Sequence, residues 1–185
     1  MINSFIRHTK LGRNLYRGYL KLTYGEIYKT MRESGGMINP RVYKKIYEEV
    51  RNLPDLDIVE IGGASGGGSI FIAKAMQDAR LKSHLHVIEK CYGGSRTEYG
   101  DYEDNKKRLL NNFTKFGVRN KIIPFLEELT VENGIFVKNN IRTNHIGALI
   151  HDADGRIDRD FYLFWELLLP GGLIVIDDYA NKPVY

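Results

Sequence analysis

"LDIVEIGGASGGGSIFIAKAM", residues 56–76, decides how this chain is read. An apolar run reaches an acid, Glu60, five glycines fall within residues 62–68, and a helix-like pattern follows. A buried strand that turns through glycines into a helix brings a ligand close to backbone. The missing side chains leave room, and the helix start offers unpaired N–H groups to polar ligand atoms. The spacing is Gly62-x-x-x-Gly66, not the G-x-G-x-x-G of a dinucleotide fold, and Glu60 stands where such a fold usually has no acid.

Around this stretch the chain alternates. Strand patterns at 58–61, 85–88, 121–126, 148–151 and 173–176 are separated by helical patterns at 67–80, 102–116, 130–138 and 158–169. Two further helices, 14–33 and 40–51, precede them; Pro40 opens the second and Pro54 follows its end. Short apolar strands alternating with helices predict an α/β fold, a mostly parallel sheet with helices on both faces. Pro124 cannot donate to a ladder, so the strand that contains it is expected at a sheet edge.

The 185 residues suit one domain with a small appendage. A single cysteine, Cys91, excludes a disulfide framework and a cysteine-rich metal site. No apolar run reaches membrane-spanning length, and the basic N-terminus lacks a signal peptide's apolar stretch; a cytoplasmic protein is expected. Seven Lys/Arg against two Glu lie in residues 1–36, whereas the remainder carries 20 basic and 21 acidic residues. Residues 1–36 therefore read as a basic helical extension, with tyrosines that pack on the body, and residues 37–185 as the core. Contact of the extension with nucleic acid or a membrane surface is the alternative. The nearly neutral core argues against a broad nucleic-acid surface.

Two further motifs point to a site. "LHVIE" puts Glu89 at the tip of the second strand, 27 positions after Gly62, where a carboxylate can accept from both hydroxyls of a ribose. "ALIHDADGRIDRDFYLFWELLLPGGLIVIDDY" ends two strands in acids, Asp152 with Asp154 and Asp177 with Asp178. Carboxylates gathered at one sheet edge repel unless a cation joins them, and hard oxygen ligands suit Mg²⁺ or a similar divalent ion. Asp152, Asp177 and Asp178 are the candidate metal ligands. Asp154, before Gly155, also fits a turn, and Asp158 a helix cap.

"VEIGGASGGGS", "HVIEK" and "DADG…DFYLFWELLLPGGLIVIDDY" together resemble the class I S-adenosylmethionine-dependent methyltransferases. The small-molecule and sugar O-methyltransferases with Asp-Gly-Asp-His and Asp-Asp-Tyr signatures are the nearest in appearance. The resemblance implies a Rossmann-like doubly wound sheet. It implies that Glu60, Gly62, Gly63, Gly66 and Ser69, with Asp152, line the cofactor, and that Glu89 holds its ribose. It implies O-methylation of a small-molecule or sugar hydroxyl, assisted by a divalent metal on Asp152, Asp177 and Asp178, with Asp152 and Asp154 as catalytic candidates. Gly155 stands where the family has a His or Lys base; Asp154, His151 and Arg156 are the nearby alternatives. His151, one residue before Asp152, should face the other side of its strand. The family fold also adds two strands after Asp-Asp-Tyr, which this sequence is expected to lack, leaving a sheet edge that self-association would cover. The loop at residues 90–104 is a candidate lid, and Met37 and Ile38 candidate caps on the cofactor. Two rival readings are a catalytically silent scaffold of the same fold, supported by Gly155, and an RNA methyltransferase.

Overall fold

The computed structural model describes residues 9–92, 101–142, 144–153 and 157–177. Along the chain lie α1 (Lys10–Ser34), α2 (Pro40–Val50), β1 (Asp57–Ile61), α3 (Gly67–Asp78), β2 (Leu85–Ile88), α4 (Tyr102–Lys115), β3 (Ile122–Phe125), α5 (Val131–Asn140), β4 (Ile146–His151), α6 (Ile157–Phe164) and β5 (Leu168–Ile176). The strands form one sheet in the order β3-β2-β1-β4-β5, every neighbouring pair parallel. β3 is an edge strand, as its proline requires, with Pro124 opposite Val87.

Alternation along the strands sorts the core into two layers. Ile58 of β1 and Ala148 and Ile150 of β4 face Ile70 and Met76 of α3, Ile46 and Val50 of α2, and Leu109 and Phe113 of α4. Val59 and Ile61 face the other way, toward Val137 and Ile141 by α5 and Leu163 and Phe164 of α6. Burial on both faces explains why β1, β2 and β4 are mostly apolar, and the buried exceptions, Asp57, Glu60, His86 and His151, each have a hydrogen-bond partner.

Local chemistry sets the helix ends. The Thr9 hydroxyl accepts from Gly12 N–H at the start of α1, which ends on Gly35 in the left-handed region (φ +72°) and is broken at Gly25. Asn39 caps α2 ahead of Pro40, Asp101 caps α4, and Thr130 and Asn133 form a reciprocal capping box on α5. One expected boundary is corrected. The helix predicted to run to residue 169 stops at Phe164, passes through a short 3₁₀ turn and becomes β5 at Leu168. The leucine run 167–169 suits either state, and pairing of Leu168 with Ile146 decides for strand. The register slips between Ile146 and Ala148, where β5 carries Pro170, Gly171 and Gly172.

The amino end of the sheet is knotted by Asp57, buried at the start of β1. Its Oδ1 accepts from His84 N–H at 2.8 Å; Oδ2 accepts from Arg142 N–H at 2.9 Å and from His86 Nε2 at 3.0 Å. Burial alone would raise this carboxyl, but the three hydrogen bonds and the His86 charge hold it below its ordinary value. A depressed acid contributes stability above its unfolded pKa, and that stability is lost as pH falls through the folded value. Asp57→Ala should therefore destabilise the fold by roughly 3–5 kcal/mol at neutral pH. In urea titrations the gap from the parent chain should narrow on acidification.

Candidate functional site

Four backbone hydrogen bonds continue the ladders past the strand ends and align the carboxyl edge. Gly62 N–H donates to Ile88 O at 2.9 Å, Glu89 N–H to Phe125 O at 2.9 Å, Asp152 N–H to Ile61 O at 2.8 Å, and Asp177 N–H to His151 O at 2.9 Å. Gly62, Glu89, Asp152 and Asp177, taken from the sequence as site residues, are thereby held along one edge. Gly62 has φ +95°, and a Cβ there would collide with the Asp152 carbonyl. The glycine turn thus brings β1 against β4 more closely than any side chain allows. Gly63 is packed on Val87, 2.5 Å from where its Cβ would stand. Gly66 (φ +90°) is the N-cap of α3 and supplies no side-chain acceptor, so the first N–H groups of α3 have no side-chain cap.

Glu60 points to the α3 side of the sheet and is buried, and the Ser69 hydroxyl donates to its Oε2. Burial drives its pKa up to about 8; the Ser69 hydrogen bond offsets part of this, and the Glu89 charge adds to it. At neutral pH Glu60 is mostly protonated and carries an O–H. Gly68 lies so near that a Cβ would meet the Glu60 carboxyl oxygen.

Glu89 stands half-buried between two turns. Its Oε2 accepts from Ala64 N–H at 2.6 Å and its Oε1 from Cys91 N–H at 2.7 Å. Ala64 (φ +44°) and Cys91 (φ +58°) both hold positive φ, conformations that the shared carboxylate supports. Each carboxylate oxygen offers two lone pairs, so both keep one for a ligand hydroxyl. Burial, then the Glu89 charge, push the Cys91 thiol up to about 11, which keeps it unreactive at neutral pH.

Three contributors were not picked out from the sequence. Tyr43 of α2 is 2% exposed and stacks on Phe71 at 4.6 Å. Its hydroxyl accepts from Ile38 N–H at 3.3 Å and lies 2.7 Å from where a Cβ on Gly36 or Gly67 would be. Burial above all, with the charges of Asp152 and Glu60, raises its pKa. The turn with Met37 and Ile38 is therefore seated on the start of α3, and Met37 is exposed. In the sequence Tyr43 shows only as one residue of an apolar helix face; the signal that could have found it is the Gly35-Gly36 pair. Asn112 of α4 donates through Nδ2 to Ser34 O at 3.0 Å and Ser65 O at 2.8 Å, tying the end of α1 to the glycine turn. Asn105 donates to Cys91 O at 3.0 Å and anchors the chain after Glu89.

The remaining candidates divide. Asp154, Gly155, Arg156 and Asp178 lie outside the described residues, as do residues 93–100 of the loop considered as a lid. Asp152 and Asp177 end adjacent strands, but the described residues contain no group of three potential metal ligands. His151 is buried on the far face, with Nε2 3.1 Å from Asp160 Oδ2, and Asp160 Oδ1 also takes Arg159. Its ring is engaged by α6, away from Glu60.

Residues 59–179 match the profile of a methyltransferase domain family. The chain belongs to that family. An uncharacterised protein of Acanthamoeba polyphaga mimivirus is 28% identical over 130 residues, covering 69% of this chain; the match spans about half, 53%, of that relative. An O-methyltransferase from Bacillus cereus, solved with S-adenosylhomocysteine, superimposes with TM-score 0.65 at 16% identity over 99% of this chain and 82% of its own. The O-methyltransferase TomG of Streptomyces achromogenes, involved in tomaymycin synthesis and solved with S-adenosylmethionine, gives 0.63 at 16% identity over 91% and 77%. These likenesses establish the fold of the methyltransferase domain. Among its described residues no helix is long and apolar enough to cross a membrane.

Glu60 gives this domain a distinctive pH response. An acid whose pKa rises on folding binds more protons in the folded state, so stability falls as pH climbs from about 4.5, the unfolded value, to about 8. Glu60→Gln, which cannot ionise, should flatten that decline. Thermal melts of the two proteins from pH 5 to pH 8.5 should diverge, the variant gaining on the parent as pH rises.

Proposed function

We propose that this domain transfers a methyl group from S-adenosylmethionine to a hydroxyl oxygen of a small molecule or sugar, with a divalent cation, Mg²⁺ or similar, at Asp152, Asp177 and Asp178. The observation that carries the reading is the convergence of the glycine turn, Glu60, Glu89 and Asp152 on one edge of the sheet. The donor set fits such a cofactor. The α3 start without a side-chain cap suits a ligand carboxylate, and the lone pairs left on Glu89 suit two ribose hydroxyls. The cofactor supplies an activated methyl on a sulfonium. The task left to the protein is alignment and exclusion of water.

Each residue then has a role of its own. Gly62, Gly63 and Gly66 let the turn pack without a Cβ against Asp152, Val87 and Phe113, which fixes its course along the carboxyl edge, while Ser69 holds the Glu60 carboxyl in place. Glu60, whose burial favours the protonated form, lies under the start of α3 without adding a second full charge beside Glu89. Asp152 and Asp177 present hard oxygen donors on neighbouring strands, the chemistry a divalent ion takes, and Asp178 is the third expected donor. The acceptor's proton passes to Asp152, Asp154 or solvent, since Gly155 cannot take it and His151 is held by Asp160. The O-methyltransferases that share the fold support oxygen as the nucleophile. Gly155 favours one second reading, a domain that binds the cofactor without turnover.

Calorimetric titration of the full chain with S-adenosylmethionine should show binding in the micromolar range. Glu89→Gln should weaken it by about ten- to a hundredfold, the size of a lost charged hydrogen-bond acceptor. Repeating the titration with Mg²⁺ and an acceptor screen, then with chelator, tests the cation. Absence of cofactor binding in both conditions overturns the reading, and binding with no turnover on any hydroxyl acceptor favours the silent domain.

A further inference from the structure

The first half of α1, before the break at Gly25, has three distinct rows. One faces the molecule: Gly12 and Leu20 are buried, and the Tyr16 hydroxyl accepts from Asn39 Nδ2 at 3.2 Å. A second row holds Leu11, Leu15, Tyr19 and Leu22, spaced three and four residues apart along one helical stripe. Leu11 is 62% exposed, Leu15 64%, Tyr19 55% and Leu22 89%. Single exposed leucines are ordinary; four large apolar side chains in one row form a patch that marks an interaction. The third row is Lys10, Arg13, Arg17 and Lys21, again three and four apart, and residues 10–24 contain no Asp or Glu.

We propose that this face of α1 docks on an anionic lipid surface, the leucine row entering the boundary of the acyl region and the cationic row meeting the headgroups. An amphipathic helix with leucine on one side and Lys/Arg on the other lies in the plane of a membrane interface. At 1.5 Å per residue, residues 10–24 span about 22 Å, enough to lie along a surface. Charge selects among occupants. A second copy packed leucine row to leucine row would cover the apolar stripe but leave the cationic row, on the other side of each helix, with no acid in the segment to meet it. A nucleic acid would satisfy the cations and could stack on the exposed Tyr16 and Tyr19, but it would leave Leu11, Leu15 and Leu22 in water, because base stacking uses aromatic faces. An anionic bilayer satisfies both rows together.

The test uses the full chain with sedimenting vesicles of phosphatidylcholine alone, or with about one-third phosphatidylserine, at about 0.1 M salt. The expected result is about tenfold or greater preference for the anionic vesicles, weakened by added salt. Replacing Leu11, Leu15 and Leu22 by Ser should abolish binding without changing the melting temperature, since all three are exposed. Arg13→Gln with Arg17→Gln and Lys21→Gln should do the same. The proposal is overturned if neither vesicle binds, or if the leucine variant binds like the parent. Preferential binding of single-stranded RNA that ignores the leucine change would overturn it in favour of nucleic acid. A dimer broken by the leucine change, with no vesicle binding, would overturn it in favour of self-association.

Discussion

The close approach of Gly62 to the Asp152 backbone is the constraint from which the rest of the site follows. β1 and β4 are neighbours, and their carboxyl ends meet where a Cβ would overlap a carbonyl. Only glycine, free to hold φ near +95°, permits it. That contact aims the turn at the start of α3 and sets Asp152 beside it. The edge between β1 and β4 is also where the connections diverge, β2 and β3 to one side and β5 to the other, the place where open α/β sheets form a crevice.

On this frame two glutamates are treated differently. Glu60 is sealed under α3 with one hydroxyl partner, so burial dominates and favours the protonated form. Glu89 sits nearer solvent and accepts two backbone N–H groups, which ties the glycine turn to the chain after β2. Burial thus biases one carboxyl toward its protonated form, while the other is engaged by backbone donors. Around them Tyr43 and Asn112 bring in the helices: the phenol seats the turn after α1 on α3, and the amide joins α1 to the glycine turn through α4. The two N-terminal helices are therefore part of the wall around the candidate site.

Where the sequence was readable, the reason is periodicity or a residue with one conformational meaning. β2 was legible to the residue because Leu85, Val87 and Ile88 form a short apolar run bounded by His84 and Glu89. The edge position of β3 followed from Pro124 alone. The boundary between α6 and β5 was not legible, because a leucine run carries no period and the choice was made by pairing with β4. Tyr43 escaped because an aromatic on a helix face reads as core, which it is; its hydroxyl matters only through Gly36 and Gly67, which come from elsewhere in the chain. His151 shows the converse: strand alternation was enough to place it away from Asp152, and Asp160 holds it there.

The sequence by itself determined the α/β alternation, the glycine turn, and which acids end which strands, because these are local properties of spacing and residue type. Tertiary structure alone decided which acids are neighbours, which glutamate is buried, and which phenol and amides close the wall. Those properties depend on desolvation and on hydrogen-bond partners distant in the chain, and no local pattern encodes them.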